Sequence, residues 1–548
     1  MTRIRRSLVA AIAAGILLAT AAVARAETFT LSLKRRETKS ARFDPTSYMY
    51  WSARPQYFNM PMTAEGSGHW RPANAGNQPQ ADAFKRIVTK EPKYQSEHPL
   101  RGVVKFGSQE YAFAMDVVPD AKKPDSKETT GKSVSNVATE PAAKPAPPGG
   151  KKPRAKPVSL ESFSYNRLYF DFNHNGDLTD DKVVEIPADS LRSSRTFPAE
   201  MAYASFQFPR IDVTLDLEGT KLDYSFDLGG YAYSSSDHCQ VMVSVTSAVC
   251  REGDISLEGK RHHIVVLDSN SNGRFDDESK IAENIHMASG QLYPQPGDML
   301  LIDPKAQTFY DSPYDPTDSD YRYYVSKIIS IDGRWYDLKI SPAGDKLTLT
   351  PSTVPVGNVT NRNEAFRALI YDQGRGLLKI CGTKGTPIPV PEGQWKLLSY
   401  TITHASRPPE PAAKAAAKAA AEKTAKAKSG SLLALFGALV GITDSDTPRT
   451  GPSLVSATAT EKYKAVTVAR GETVELPFGP PYTPTVTAMS YGTPAGQPQQ
   501  TYLEMSLVGV CGEMCTNMMV KGGRPGKPDF TITDPEGKVG QEGSFEYG

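Results

Sequence analysis

Ile211-Asp-Val-Thr-Leu-Asp-Leu217-Glu218-Gly219-Thr-Lys221-Leu-Asp-Tyr-Ser-Phe-Asp-Leu228 alternates apolar and polar residues on both sides of a Glu-Gly pair. In an extended chain, successive side chains point to opposite faces. The alternation therefore gathers Ile211, Val213, Leu215 and Leu217 on one face, and Leu222, Tyr224, Phe226 and Leu228 on the matching face of a second strand. The stretch predicts a half-buried hairpin turning at Glu218-Gly219. Ile328–Ile331, Trp335–Ile340 and Lys346–Leu349 repeat the pattern as a meander, with turn chemistry at Asp332-Gly333 and at Ser341-Pro-Ala-Gly344.

Working outward, Gly102–Phe106, Tyr111–Asp116, Arg167–Phe172 and Gln394–Ile402 read as strands. So do Tyr463–Val468, Thr473–Leu476, Tyr502–Val508, Asn517–Val520 and Phe530–Thr533. Helical pattern is confined to Asp82–Val88 and Leu432–Ile442, with a turn after each of the two loops described below. The expected fold is mainly β: two β-sandwich or barrel-like domains, few short helices and two long disordered insertions. The domains span about 27–355 and 356–548. One insertion, at about 119–158, is rich in Lys, Pro, Ala and Ser. The other, at about 404–460, holds an Ala/Lys-rich spacer and the apolar run Leu432–Ile442. Neither low-complexity tract carries enough apolar surface to offset the entropy of ordering it. Each lies between strand-like segments, and loop closure costs little as length grows, so both read as insertions between neighbouring strands. Leu432–Ile442 is too short to cross a bilayer, which takes about 20 residues. Its two readings are docking on its own domain and contact with a partner or a membrane surface.

Residues 1–26 read as a signal peptide. Arg3, Arg5 and Arg6 precede an apolar stretch from Leu8 to Val23, and Ala24-Arg25-Ala26 supplies a small-x-small cleavage site. Export to the periplasm, cell envelope or exterior is the expectation, with no transmembrane span in the mature chain. Without that segment 59 basic residues face 61 acidic ones. Near-neutrality withdraws support from general attraction to nucleic acid. Five cysteines in an oxidising compartment allow Cys239–Cys250 and Cys511–Cys515 to close short loops, leaving Cys381 over.

Two stretches carry a specific chemistry. Asp171-Phe-Asn173-His-Asn175-Gly176-Asp177-Leu178-Thr-Asp180-Asp181 and Asp268-Ser-Asn270-Ser-Asn272-Gly273-Arg274-Phe275-Asp276-Asp277-Glu278 both read D-x-N-x-N-G-x-[LF]-x-D-[DE]. Ca2+ takes six to eight hard oxygen ligands, and side-chain oxygens at positions one, three and five converge when the chain curls tightly. Glycine at position six permits the bend. The backbone carbonyl of position seven, Asp177 or Arg274, is a further donor. Asp181 and Glu278 are the closing carboxylates, with Asp180 and Asp277 as alternates. Asn-Gly sequences also make plain turns. Two loops that agree at six positions, each preceded by strand residues and set 97 residues apart, point to calcium and to a duplicated unit.

The loops resemble the EF-hand and dockerin type of calcium loop. They depart from it at position twelve, where Lys182 and Ser279 stand in place of an acid, and in following a strand instead of a helix. The asparagines lower the local charge, so sub-millimolar affinity of the extracellular kind is expected. Pro391-Glu-Gly393 ahead of Trp395 resembles the strand entry of transthyretin-like and CnaB-like sandwiches, which implies a secreted β-module. The whole chain resembles uncharacterised exported bacterial proteins that carry such loops.

No metalloprotease, nucleophile-elbow, P-loop or dinucleotide motif occurs in the sequence. His262 and His263 are adjacent on a strand and so point to opposite faces, which separates them as metal ligands. His238-Cys239 and the acid pair Asp318 and Asp320 are the remaining catalytic candidates. The expected function is a non-enzymatic, calcium-stabilised structural or binding protein of the cell envelope. Its partners are calcium ions and envelope proteins or glycans. The alternative is a secreted hydrolase acting on polysaccharide or peptide.

Overall fold

A computed structural model describes residues 25–36, 54–65, 69–72, 78–118, 165–186, 195–197, 201–234, 239–281, 290–292, 294–295, 297–304, 317, 319–404, 453–491 and 500–547. Over these residues the chain is mainly β, arranged as several separate sheets, with one α-helix at Gln78–Ile87. The alternating hairpin is present as expected. Ile211–Leu217 pairs antiparallel with the first half of Thr220–Ser234, and the burial of Ile211–Leu217 alternates strictly. The second half of the long strand pairs with Met201–Gln207 on the same edge, while Cys239–Ser247 lies along the other. The alternation in the sequence ends at Leu228, but the strand runs on to Ser234 through Gly229-Gly230. Both glycines lie inside the strand, where a Cβ on Gly230 would come within 2.3 Å of the Met242 carbonyl.

Three further sheets pack around this one. Leu100–Phe106, Gln109–Asp116, Arg167–Phe170 and Val184–Glu185 form a four-stranded meander. A five-stranded sheet runs Arg322–Tyr324, Met299–Ile302, Lys260–Leu267, Val249–Leu257, Ser32–Arg35. Glu27–Thr30 joins the expected meander Ile328–Ile331, Arg334–Ile340 and Lys346–Pro351 as its fourth strand. Their inner faces share one hydrophobic core. Phe106 sits within it, with ring centroids 5.1 Å from Tyr224 and 4.9 Å from Phe226. Gly102 leaves room for its cross-strand partner Phe113, whose ring would lie 2.5 Å from an added Cβ.

In the C-terminal part, Gly376–Thr383, Ala365–Asp372, Gly393–His404, Ser453–Thr458, Met514–Met519, Gln500–Val508 and Thr483–Tyr491 succeed one another in one sheet, and Val466–Val468 pairs with Gly393–His404. The strand entry at Pro391 is closed by Trp395, fully buried, whose indole Nε1 donates to the Pro391 carbonyl at 2.7 Å. Tyr463 itself precedes the short strand, and the strand expected at Asn517–Val520 begins earlier, at Met514. A separate apolar cluster joins Cys250, Val265, Leu267, Met299 and Leu301 to Leu369, Tyr371, Leu377 and Leu398 from beyond residue 355.

Both low-complexity tracts, Leu432–Ile442, His238, Asp318 and nearly all of the signal-peptide stretch lie outside the described residues. Their flanks are informative. Gln109–Asp116 pairs directly with Arg167–Phe170, and Gly393–His404 with Ser453–Thr458, so the chain leaves and rejoins one sheet at neighbouring positions. The Cys239–Cys250 bridge is ruled out by strand geometry. Cys239 opens the strand Cys239–Ser247, about 26 Å from its far end, and Cys250, three residues past that end, can come back by at most about 10 Å. A disulfide needs less than about 7 Å. Cys250 is a buried free thiol, and Cys381, Cys511 and Cys515 are free as well.

Candidate calcium-type loops

Each loop follows directly on a strand and is built in the same way. Arg167–Phe170 lies between Gln109–Asp116 and Val184–Glu185, and its continuation, residues 171–181, forms the first loop. Lys260–Leu267 lies between Val249–Leu257 and Met299–Ile302 and continues into the second loop. In both, the carboxylate at position one turns back onto the loop. Asp171 accepts the amides of Asn175 at 3.1 Å and Gly176 at 3.2 Å. Asp268 accepts those of Asn272 at 3.0 Å and Gly273 at 2.9 Å.

The asparagines repeat as well. Asn173 Oδ1 accepts the Asn175 amide, and Asn175 Oδ1 accepts the Asp177 amide. Asn270 Oδ1 and Asn272 Oδ1 do the same for Asn272 and Arg274. The side-chain amides at positions three and five then donate to the acid at position ten, Asp180 or Asp277. The backbone follows this net. Position four is left-handed in both loops (His174, φ 61°; Ser271, φ 57°), and so is the glycine at position six (Gly176, φ 75°; Gly273, φ 79°). A shared sequence pattern has thus produced a shared local fold, with positions one, three, five and ten drawn together.

Position eight pins each loop to the apolar interior. Leu178 packs under the helix with Phe84 and Tyr169, and Phe275 is fully buried in the main core. The first loop also seats against the end of that helix, where the amides of Thr89 and Leu178 donate to the carbonyls of Gly176 and Lys90. At position seven the side chains turn to surface pairs: Asp177 with Lys90 at 2.9 Å, Arg274 with Asp276 at 2.8 Å.

The loops differ in how they close. In the first, Asp181 Oδ2 accepts the amide of Phe172, at position two, at 3.2 Å. In the second, the same position, Ser269, donates instead to Asp298 Oδ1 at 3.0 Å, and the amide of Asp277 donates to Asp298 Oδ2 at 2.9 Å. Asp298 is fully buried and precedes the strand Met299–Ile302, while Glu278 takes neither of these amides. Asp298 was not legible as a site residue. Its one sequence signal is an acid immediately before an apolar run, where turn formation is the ordinary reading.

The electrostatics of the second loop are unusual. Burial pushes the Asp268 carboxyl up to about 7 despite its bonds to Tyr224, Gly273 and Asn272, and Asp277 adds to the rise. Burial, followed by the charges of Asp268 and Asp277, raises Asp298 as well. In the first loop burial and then Asp171 and Asp180 raise Asp181. Carboxylates gathered away from water without a compensating positive charge favour their protonated forms. A hard cation would supply such a charge, and the oxygen donors present are of the type Ca2+ takes. Among the described residues, no group of three or more His, Cys, Asp or Glu side chains is already set at metal-binding spacing. The asparagine amides, turned toward Asp180 and Asp277, occupy the acids instead.

The other candidates take structural positions. His262 and His263 do point apart: His262 is buried against Asp303 and Asp332, and His263 bonds Asp254. Asp320 pairs with Arg367 at 3.0 Å. Compared with protein-family models, with curated proteins and with solved structures, the chain finds no match in any of the three.

Proposed function

We propose that the chain is an exported structural or binding protein of the cell envelope, non-enzymatic, in which calcium held by the two D-x-N-x-N-G loops stabilises the β-fold. The observation that carries the reading is that Asp268 and Asp298 are sealed from solvent at the second loop, where burial and then the charges of neighbouring acids, Asp277 among them, push both carboxyls upward. A bound divalent cation would relieve their mutual repulsion. It would be held in the first loop by Asp171, Asn173, Asn175, the Asp177 carbonyl, Asp180 and Asp181. In the second loop Asp268, Asn270, Asn272, the Arg274 carbonyl, Asp277 and Glu278 would serve, joined by Asp298. Both loops sit between strands, so the ion would act as a staple on the fold and not as a reagent.

Thermal unfolding of the chain lacking residues 1–26, in calcium and in chelator, tests the reading. Binding to the folded state alone adds about 2.7 kcal/mol per site when calcium exceeds the dissociation constant a hundredfold. A midpoint several degrees higher in calcium is expected, reduced in Asp171→Ala and in Asp268→Ala. Equal midpoints in calcium and chelator for all three proteins would sink it. Turnover of a polysaccharide or peptide substrate by the same sample would favour the hydrolase alternative.

A further inference from the structure

His262 lies on the strand Lys260–Leu267 with its side chain only 2% exposed, and both ring nitrogens face carboxylates. Nδ1 is 2.8 Å from Asp303 Oδ2, just past the strand Met299–Ile302. Nε2 is 3.0 Å from Asp332 Oδ2, in the turn between Ile328–Ile331 and Arg334–Ile340. Each acid also holds a second partner through its other oxygen. The second oxygen of Asp303 accepts the His263 amide at 2.8 Å, and that of Asp332 accepts Lys260 Nζ at 2.6 Å. An ionised carboxylate only accepts hydrogen bonds, and a neutral imidazole donates from one nitrogen only. The imidazolium donates from both.

We propose that His262 is a proton-dependent clasp: as the imidazolium it fastens the Ile328–Ile340 hairpin to the five-stranded sheet, and on losing its proton it releases the Asp332 turn. The charges around it fit this role. The Lys260 bond holds Asp332 below the ordinary carboxylate range. Burial pushes Asp303 up, but the His263 amide and the His262 ring outweigh it and hold it low. Both acids are thus held in their ionised forms near neutral pH. Tyr323, on the neighbouring strand Arg322–Tyr324, is pushed up chiefly by burial and stays a neutral phenol. Glu258 and Arg334 pair across the two facing turns, beside Lys260–Asp332. Arg261, His263 and Asp254 form their own group on the other side of the strand. Loss of the proton would leave a nitrogen lone pair of the buried ring against a carboxylate oxygen, while the carboxylates themselves are about half exposed. The clasp is therefore intact at low pH and opens as pH rises.

Hydrogen exchange read by mass spectrometry on the full chain, between about pH 5.5 and 9.5 and corrected for intrinsic rates, tests this. Protection of the Ile328–Ile340 hairpin is expected to fall about tenfold or more through a single-proton transition. His262→Gln should abolish the transition and leave the hairpin at its weakly protected level. Asp303→Asn removes one of the stabilising charges and should move the transition to lower pH. If His262→Gln does not fold, Asp332→Asn, in a half-exposed turn, removes the same bond and should give an equally flat profile. Protection that is independent of pH in the parent protein would overturn the proposal, as would a transition unchanged by Asp303→Asn or by Asp332→Asn.

Discussion

Tyr224 donates its phenolic hydroxyl to Asp268 Oδ2 at 2.6 Å, and both groups are closed off from solvent. The bond ties the hairpin that announced the β-fold to the first residue of the second calcium-type loop. Burial, followed by the charge of Asp268, keeps the phenol protonated far up the pH scale. Tyr224→Phe leaves the ring in place and strips one donor from a buried acid. Above about pH 7, beyond the raised value of Asp268, the acceptor is charged, and a hydrogen bond to a charged group contributes about 1.5–3 kcal/mol. A loss of that size in denaturant unfolding, with an unchanged slope, is the expected result.

Asp298 and Glu278 offer a direct comparison at the second loop. Asp298 accepts the amides of Ser269 and Asp277. Asp298→Asn is expected to remove most of that loop's share of the calcium-induced rise in midpoint, while Glu278→Gln should remove less. The first loop is the internal control, since Asp181→Asn should cut the calcium effect without touching Asp298. Calorimetric titration of the three variants would order them.

Gly273 and Gly219 both have left-handed backbones, φ 79° and 87°, but differ in their surroundings. A Cβ at Gly273 would lie 2.6 Å from Leu215 Cδ1 and 3.1 Å from Phe106 Cβ, whereas one at Gly219 meets nothing within 4 Å. Left-handed strain alone costs about 1–2 kcal/mol. Crowding a packed core adds about 1–3 kcal/mol. Gly273→Ala should therefore destabilise by about 2–5 kcal/mol, and Gly219→Ala by the strain alone. Equal losses would show that the loop yields to the added methyl.

The alkaline side of the stability curve follows from buried acids that are neutral when protonated. Burial pushes the Cys250 thiol up to about 12 and the Tyr111 phenol to about 12. Burial, with Glu513 beside it, pushes the Cys515 thiol up to about 11. The folded chain keeps these protons where the unfolded chain releases them, so the stability they confer is complete below about pH 8.5–10 and drains away above it. Midpoints should fall between about pH 9 and 12. Because exposed tyrosines such as Tyr57 also absorb, the Tyr111 signal is read as the difference between the parent and Tyr111→Phe; in that difference, tyrosinate ahead of unfolding would contradict the burial of Tyr111. At pH 8, Cys250 should resist alkylation until the chain unfolds.

Strand periodicity made most of the fold legible, because alternation such as Ile211–Leu217 reports the two faces of a sheet directly. It did so least well where a strand carries no alternation, as at Gly229-Gly230, and where short pairings such as Glu27–Thr30 draw their register from a partner more than 300 residues away. The loops were legible because their net is local: Asp171 and Asp268 bond within five residues. Asp298 was not, since it reaches the second loop from 21 residues beyond Asp277. His262 was separable from His263 by strand geometry. Its two acids come from turns 41 and 70 residues away, which no spacing within the chain announces.

The direct pairing of Gly393–His404 with Ser453–Thr458 gives the chain a natural seam. The sheet at that point is continuous through its hydrogen bonds while the covalent chain departs at residue 404 and returns at 453. Scission between those residues would sever no pairing between described strands. Two polypeptides ending and beginning there carry complementary halves of one sheet, with the parallel register of Asn358 to Thr473 as a second point of contact.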